Sequence, residues 1–231
     1  QKCAKMSLLP SRSELSKHWI LDPNITFLNH GSFGACPKLI LDEQTKLRTS
    51  LESDPVTFME STARELWAES LVKLSKFINA DSEGMTFVTN ATSGVNTVLK
   101  SLDLKPNDEI IVLDHSYQAC WNAVDSITKK TGAKTVVATI PFPIDSNEQI
   151  IEEILQKVTE KTRLVLVDTV TSPTGLRLPF EELVSELQSR NVDVLLDAAH
   201  GPGIVHLDIK KLDPAYVTGN AHKWLCTPKG S

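Results

Sequence analysis

The sequence predicts an α/β fold: a doubly wound, mostly parallel sheet with flanking helices. Three observations carry this expectation. Six short apolar runs recur from residue 85 onward, helical periodicity fills the gaps, and polar residues close the runs. The runs are "MTFVTN" (85–90), "EIIVLD" (109–114), "KTVVAT" (134–139), "RLVLVD" (163–168), "VDVLLD" (192–197) and "AYVTG" (215–219). They are continuous rather than alternating, which suits strands buried on both faces of a parallel sheet.

In chain order, the first 80 residues carry two helical patterns, roughly 38–52 and 61–79. Trp67, Leu71, Leu74 and Ile78 share one stripe of the second. These patterns predict an N-terminal helical arm over 1–80 beside a sheet-bearing domain over 81–231. The first strand is followed by "ATSGVNTVL", which opens a helix, and "LKPNDE" (104–109) turns into the second strand. Farther along, Ile150, Ile151, Ile154, Leu155 and Val158 share one helical face. Phe180, Leu183, Val184 and Leu187 share another. No internal repeat or low-complexity segment interrupts the alternation.

Composition narrows the function. A net charge of −5 supplies no basic face for nucleic acid. No run approaches the roughly 18 apolar residues of a membrane span. Neither nucleic acid nor a membrane is therefore an expected partner. Cys3, Cys36, Cys120 and Cys226 are widely spaced with no C-x-x-C pair, which argues against a zinc knuckle or a disulfide framework. A reducing, cytoplasmic setting follows as the default. The N-terminal stretch has no apolar h-region, so the sequons at Asn24 and Asn90 are discounted.

Ligands of open α/β folds collect at the C-terminal ends of the strands. Asn90, Asp114, Asp168, Asp197 and Gly219 all stand at such ends. Asp197 closes a buried apolar run, where a bare carboxylate is costly unless a cation or strong donor meets it. Lys223 follows the next strand and can reach the same cleft. An amine and an anion on opposite sides of a flat ring are what pyridoxal phosphate needs: one forms a Schiff base, the other keeps the pyridine nitrogen protonated. A structural ion pair is the plain alternative. "TNATSGVNTVL" leaves a strand and opens a helix, so Thr92, Ser93 and the free N–H groups there make an anion cradle. Read by itself, the same turn is an ordinary N-cap. Just past another strand end, His115, Tyr117 and Trp121 offer a ring to stack on a pyridine, although Trp121 suits helix packing better.

Six blocks occur in order: "FLNHGSFGACP", "TNATSGVNTVL", "DHSYQACWNAV", "DTVTSPTGLRLP", "LLDAAHGPG" and "GNAHKW". Together they resemble the class V aminotransferase family of fold-type I pyridoxal phosphate enzymes, in its isopenicillin N epimerase-like branch, related to the cysteine desulfurases. The resemblance runs from about residue 18 to the end. It implies Lys223 as the Schiff-base lysine, Asp197 as partner of the pyridinium nitrogen and Tyr117 as the stacking ring, with His115 in reserve. It also implies Ser172 and His200 near the cofactor's phenolic oxygen, and Thr92, Ser93, His222 and Asn220 around its phosphate. Asn29, His30 and Gly31 would border the substrate pocket, although "NHGSFG" reads equally well as a glycine turn.

The resemblance further implies an amino-acid-type substrate and a homodimer. The chemistry would be that of an epimerase or aminotransferase, or else of a desulfurase or other C–S lyase. Family members continue well past the lysine, into a smaller domain bearing an arginine for the substrate carboxylate. The chain therefore reads as a fragment, or as a shortened relative serving as an inactive scaffold or dimerisation partner. A metal site at Asp197, His200 and His206 is disfavoured by the glycines and proline between them. Neither a phosphate-binding G-x-x-x-x-G-K-[ST] nor a G-x-G-x-x-G nor a G-x-S-x-G elbow occurs.

Overall fold

The computed structural model describes residues 13–230. Cys3 lies outside the described residues.

Helices dominate the N-terminal third. A short helix α1 (His30–Phe33) follows Asn29, whose side chain caps it by accepting from Ser32 N. Helix α2 (Lys38–Ser53) has no buried residue. The turn α3 (Pro55–Thr57) begins at a proline, with Asp54 capping the Thr57 N–H. A π-helical stretch (Phe58–Thr62) leads into α4 (Ala63–Phe77). Leu71 is buried on the anticipated stripe, whereas Trp67 stays half exposed and meets Phe87 edge-on.

Beyond α4 the chain alternates as expected. Helix α5 (Ala91–Ser101) precedes β1 (Glu109–Leu113), followed by α6 (Gln118–Thr131) and β2 (Lys134–Ala138). Then come α7 (Asn147–Leu155), β3 (Thr162–Asp168), α8 (Phe180–Ser189) and β4 (Asp193–Ala198). A one-turn helix α9 (Ile209–Leu212) leads into β5 (Tyr216–Gly219). The five strands form one parallel sheet in the order β2-β1-β3-β4-β5.

Strand parity divides the core into two layers. Ile110, Val112, Leu164, Leu166 and Leu195 face α5 and α6, packing with Val95, Leu99 and Val124. Their neighbours Ile111, Leu113, Val165, Val167, Val194 and Leu196 face α7 and α8, packing with Ile150, Ile154, Phe180 and Leu183. Both faces of the central strands are thus covered, so the runs are continuously apolar. Each fully buried Leu or Ile contributes roughly 1.5–3 kcal/mol by leaving water.

One expected strand is absent. Residues 85–88 carry no regular secondary structure. They lie across a cavity of about 480 Å³ from β5, lined by Met85–Val88 on one side and Tyr216–Gly219 on the other. β5 is the sheet's last strand among the described residues, yet the cavity keeps the apolar run from pairing with its free edge, and Met85 is only partly buried. Helix α5 nonetheless sits tightly on β5. A Cβ on Gly94 would fall 2.1 Å from Thr218 Oγ1, so only glycine permits this approach.

Candidate active site

A second cavity, of about 810 Å³, opens where β3, β4 and β5 end and α5 begins. Among the side chains lining it are Lys223, Asp197, His200, Thr92, Ser93, Asn220 and His222. The parallel sheet causes this convergence: strands running the same way deliver their C-terminal residues to one edge.

Asp197 and Asp168 are register partners on β4 and β3, and both are buried. Strand parity turns both carboxyls toward α6. Asp197 accepts from the Ala199 N–H at 2.9 Å and from the Cys120 thiol at 3.3 Å. Burial raises its carboxyl above the ordinary range, while those two donors and the nearby Lys223 pull it back. Asp168 accepts from the Ser116 hydroxyl at 3.0 Å. Burial first and the Asp197 charge second push it well above the usual carboxylate range. Burial thus pushes both carboxyls up, Asp168 the further, and Asp197 is the better supplied with donors.

Lys223 is half-buried in the loop after β5. Burial lowers its amine from the ordinary lysine value, and Asp197 and then Cys120 draw it back up. Its Nζ lies 3.2 Å from His200 Nε2, and Trp224 Nε1 donates to His200 Nδ1 at 3.2 Å. Burial and the neighbouring Lys223 hold His200 down to about 4, so the imidazole is neutral. Behind the loop, His30 Nε2 meets the Lys223 carbonyl at 2.8 Å. A Cβ on Gly31 would come within 3.1 Å of the Trp224 ring.

The opposite wall is the N-terminus of α5. Asn90 caps it by accepting from Ser93 N at 2.8 Å, and Asn220 Oδ1 takes the Ala91 N–H at 2.8 Å. The Thr218 hydroxyl donates to the Ala91 carbonyl at 3.3 Å. The start of α5 is thereby tied to the strand that precedes Lys223. The hydroxyls of Thr92 and Ser93 border the same cavity.

Tyr117, 46% exposed, and Ser172 also line the cavity. His115 does not. Its Nδ1 bonds the Thr174 hydroxyl at 3.1 Å and its ring lies near Phe142, since it sits within the turn closed by the Ser116 N–H on the Leu113 carbonyl, ahead of Tyr117. Asn29, His30 and Gly31 stand behind the Lys223 loop rather than in the cavity, and Ser32 and Phe33 reach it instead. Trp121 is partly buried against the α5–α6 layer. Sequence reasoning gave no role to Asp168, Ser116, Cys120 or Trp224. Asp168 carries a readable signal, since "RLVLVD" ends on a carboxylate as "VDVLLD" does.

A sequence profile of the aminotransferase class-V family matches residues 37–231. The chain belongs to the class-V aminotransferase family. It is 30% identical over 214 residues to an isopenicillin N epimerase of Streptomyces clavuligerus, covering 91% of this chain and 53% of that protein. An L-cysteine desulfhydrase of Arabidopsis thaliana is 29% identical over 231 residues, covering 94% of this chain and 50% of the relative. The chain thus spans about half the length of the curated relatives it matches. Among solved structures, a cystine C–S lyase in complex with its reaction product, cysteine persulfide, superposes with a TM-score of 0.84 at 25% identity. That match covers 90% of this chain and 56% of the lyase. The parallel sheet with its flanking helices is the fold that the resemblance implied.

The cavity's donors fit a phosphorylated pyridoxal. One amine and one buried, donor-held carboxylate face a common space, and a capped helix start with two hydroxyls closes its far end. Among the described residues, no group of three or more His, Cys, Asp or Glu side chains could hold a metal ion.

Proposed function

We propose that this chain forms the pyridoxal phosphate site of a class-V enzyme acting on an amino-acid-type substrate. The observation that carries the reading is the meeting of Lys223 and Asp197 in a cavity walled by the start of α5. When bound, the cofactor supplies an aldehyde for an amine and a ring that draws electrons from the substrate carbon bearing the amino group. Lys223 would be the residue that holds it covalently. Asp197 would meet the ring nitrogen, with Asp168 buried beside it on β3. Thr92, Ser93, His222 and the α5 N–H groups hold the phosphate, with Asn220 fixing the helix start. Tyr117 would stack on the ring, and His200 and Ser172 would be the groups near its oxygen, all three lining the same cavity.

The cofactor-binding unit is taken as residues 81–231, with 1–80 as an arm that steadies the Lys223 loop through His30. The exposed apolar side chains Phe33, Leu39, Ile40 and Leu47 support a homodimer. None of Cys36, Cys120 and Cys226 is in a disulfide, which agrees with a reducing cytoplasm. Among the described residues, no helix is long and apolar enough to cross a membrane.

Incubation with pyridoxal phosphate, followed by absorbance and borohydride trapping, tests the reading. A visible band near roughly 410–430 nm is expected, with the reduced label on the peptide bearing Lys223. Lys223→Ala should fold and lose both signals. A folded wild-type chain with no band, or a label shared among other lysines, refutes it.

A further inference from the structure

Hydrogen-bond geometry in the Lys223 loop restricts which form the lysine takes. An indole N–H can only donate, so Trp224 Nε1, 3.2 Å from His200 Nδ1, requires a lone pair on that nitrogen. A neutral imidazole carries one proton, which must then reside on Nε2. Lys223 Nζ is 3.2 Å from Nε2. An ammonium has three protons and no lone pair, so it cannot receive that N–H. Only the free amine can.

We infer that Trp224 is a positioning residue: it sets the His200 tautomer so that His200 donates to Lys223 Nζ and holds the lysine as an uncharged amine. The inference deepens the proposed function, on which it rests for its purpose, because an amine attacks an aldehyde and an ammonium does not.

The other groups around the amine pull in both directions. Asp197 at the end of β4 and Cys120 on α6 favour the ammonium, while half-burial of the loop opposes it. Asp168, His222 and Lys229 line the same cavity or lie at its edge. His200 Nε2, within hydrogen-bond distance of Nζ, is placed to read the lysine's lone pair. Were Lys223 charged and donating to Nε2, the imidazole proton would sit on Nδ1 and point at the indole N–H.

The test measures the titration of each lysine in the full chain by limiting reductive methylation across pH, with dimethyl-lysine quantified on mapped peptides. In the wild type, Lys223 should react with a midpoint well below the ~10.4 of exposed lysines. W224F, which keeps the ring and removes the donor, should raise that midpoint by ~1 unit, slowing the reaction about tenfold at neutral pH. His200→Ala should raise it similarly, and W224F should add nothing in the His200→Ala background, since its effect passes through the imidazole. An unmoved midpoint in W224F, or a shift that persists without His200, overturns the inference. Nitrogen NMR of wild-type His200 decides the point without any variant: an Nε2-protonated ring is expected, and an Nδ1-protonated ring overturns it. Methylation and NMR need no cofactor. Failure of the wild type to bind pyridoxal phosphate would therefore refute the proposed function while leaving the lysine's titration readable.

Discussion

Replacing Gly34 by alanine should be among the most damaging single-methyl changes in the arm. Gly34 has φ 69° and ψ 170°, a backbone region that is essentially glycine's alone and costs other residues about 1–3 kcal/mol. The added Cβ would also stand 2.0 Å from the His222 carbonyl oxygen and 3.1 Å from the Lys223 Cα. These are backbone atoms, and they are held in place: His30 Nε2 grips the Lys223 carbonyl at 2.8 Å, and the Gly34 N–H bonds the His30 carbonyl at 2.7 Å. Forcing the two segments apart should cost a further ~1–3 kcal/mol, as overpacking does. Gly175 provides the control. It too has positive φ, 65°, but a Cβ there meets nothing within 4 Å, so Gly175→Ala should cost only the backbone term of about 1–2 kcal/mol. Urea denaturation of both variants, with the pyridoxal phosphate band recorded on the folded protein, measures the difference. Gly34→Ala should lose at least ~1 kcal/mol more than Gly175→Ala and bind cofactor more weakly, because the Lys223 loop has shifted. Equal losses with an unchanged band would refute the packing of the arm against residues 222–224.

The buried carboxyl pair predicts a pH dependence. Asp168 has its folded pKa raised, so its contribution is fully present below the unfolded value of about 3.9 and is lost as pH climbs through the folded value. Asp168→Asn, which does not titrate and can still accept from Ser116, should gain stability relative to the wild type as pH rises above about 4; a constant difference across the range would contradict a raised Asp168 pKa. Removing the Asn220 side chain leaves the Ala91 N–H without its partner in a buried site, so Asn220→Ala should cost about 1–3 kcal/mol in denaturation and weaken phosphate binding. In the core, Leu183→Ala should cost about 2–5 kcal/mol, since the side chain is fully buried between α8 and the sheet; a loss under ~1 kcal/mol would mean that the layer repacks.

Much of the fold was legible because its signals are local. Five of the six apolar runs became parallel strands, and the stripe Phe180, Leu183, Val184, Leu187 became the buried face of α8, since burial on both sides of a sheet imposes a pattern readable within six residues. "MTFVTN" carried the same pattern and formed no strand, because a strand exists only with a hydrogen-bonded neighbour, and that neighbour is a property of the sheet. The site divides in the same way. Lys223, Asp197 and the α5 turn were identifiable as strand-end chemistry. His115 and Tyr117, two residues apart, were not separable until the turn between them sent one toward Phe142 and the other into the cavity. The sequence by itself thus determined the strands, their order along the chain and which polar residues stand at their ends. The tertiary structure alone decided that Asp168 lies beside Asp197, that α5 presses on β5 through Gly94, and that Trp224 orients His200 toward Lys223. Those relations join residues far apart in the chain, from 23 positions for His200 and Lys223 upward, and only packing brings such groups together.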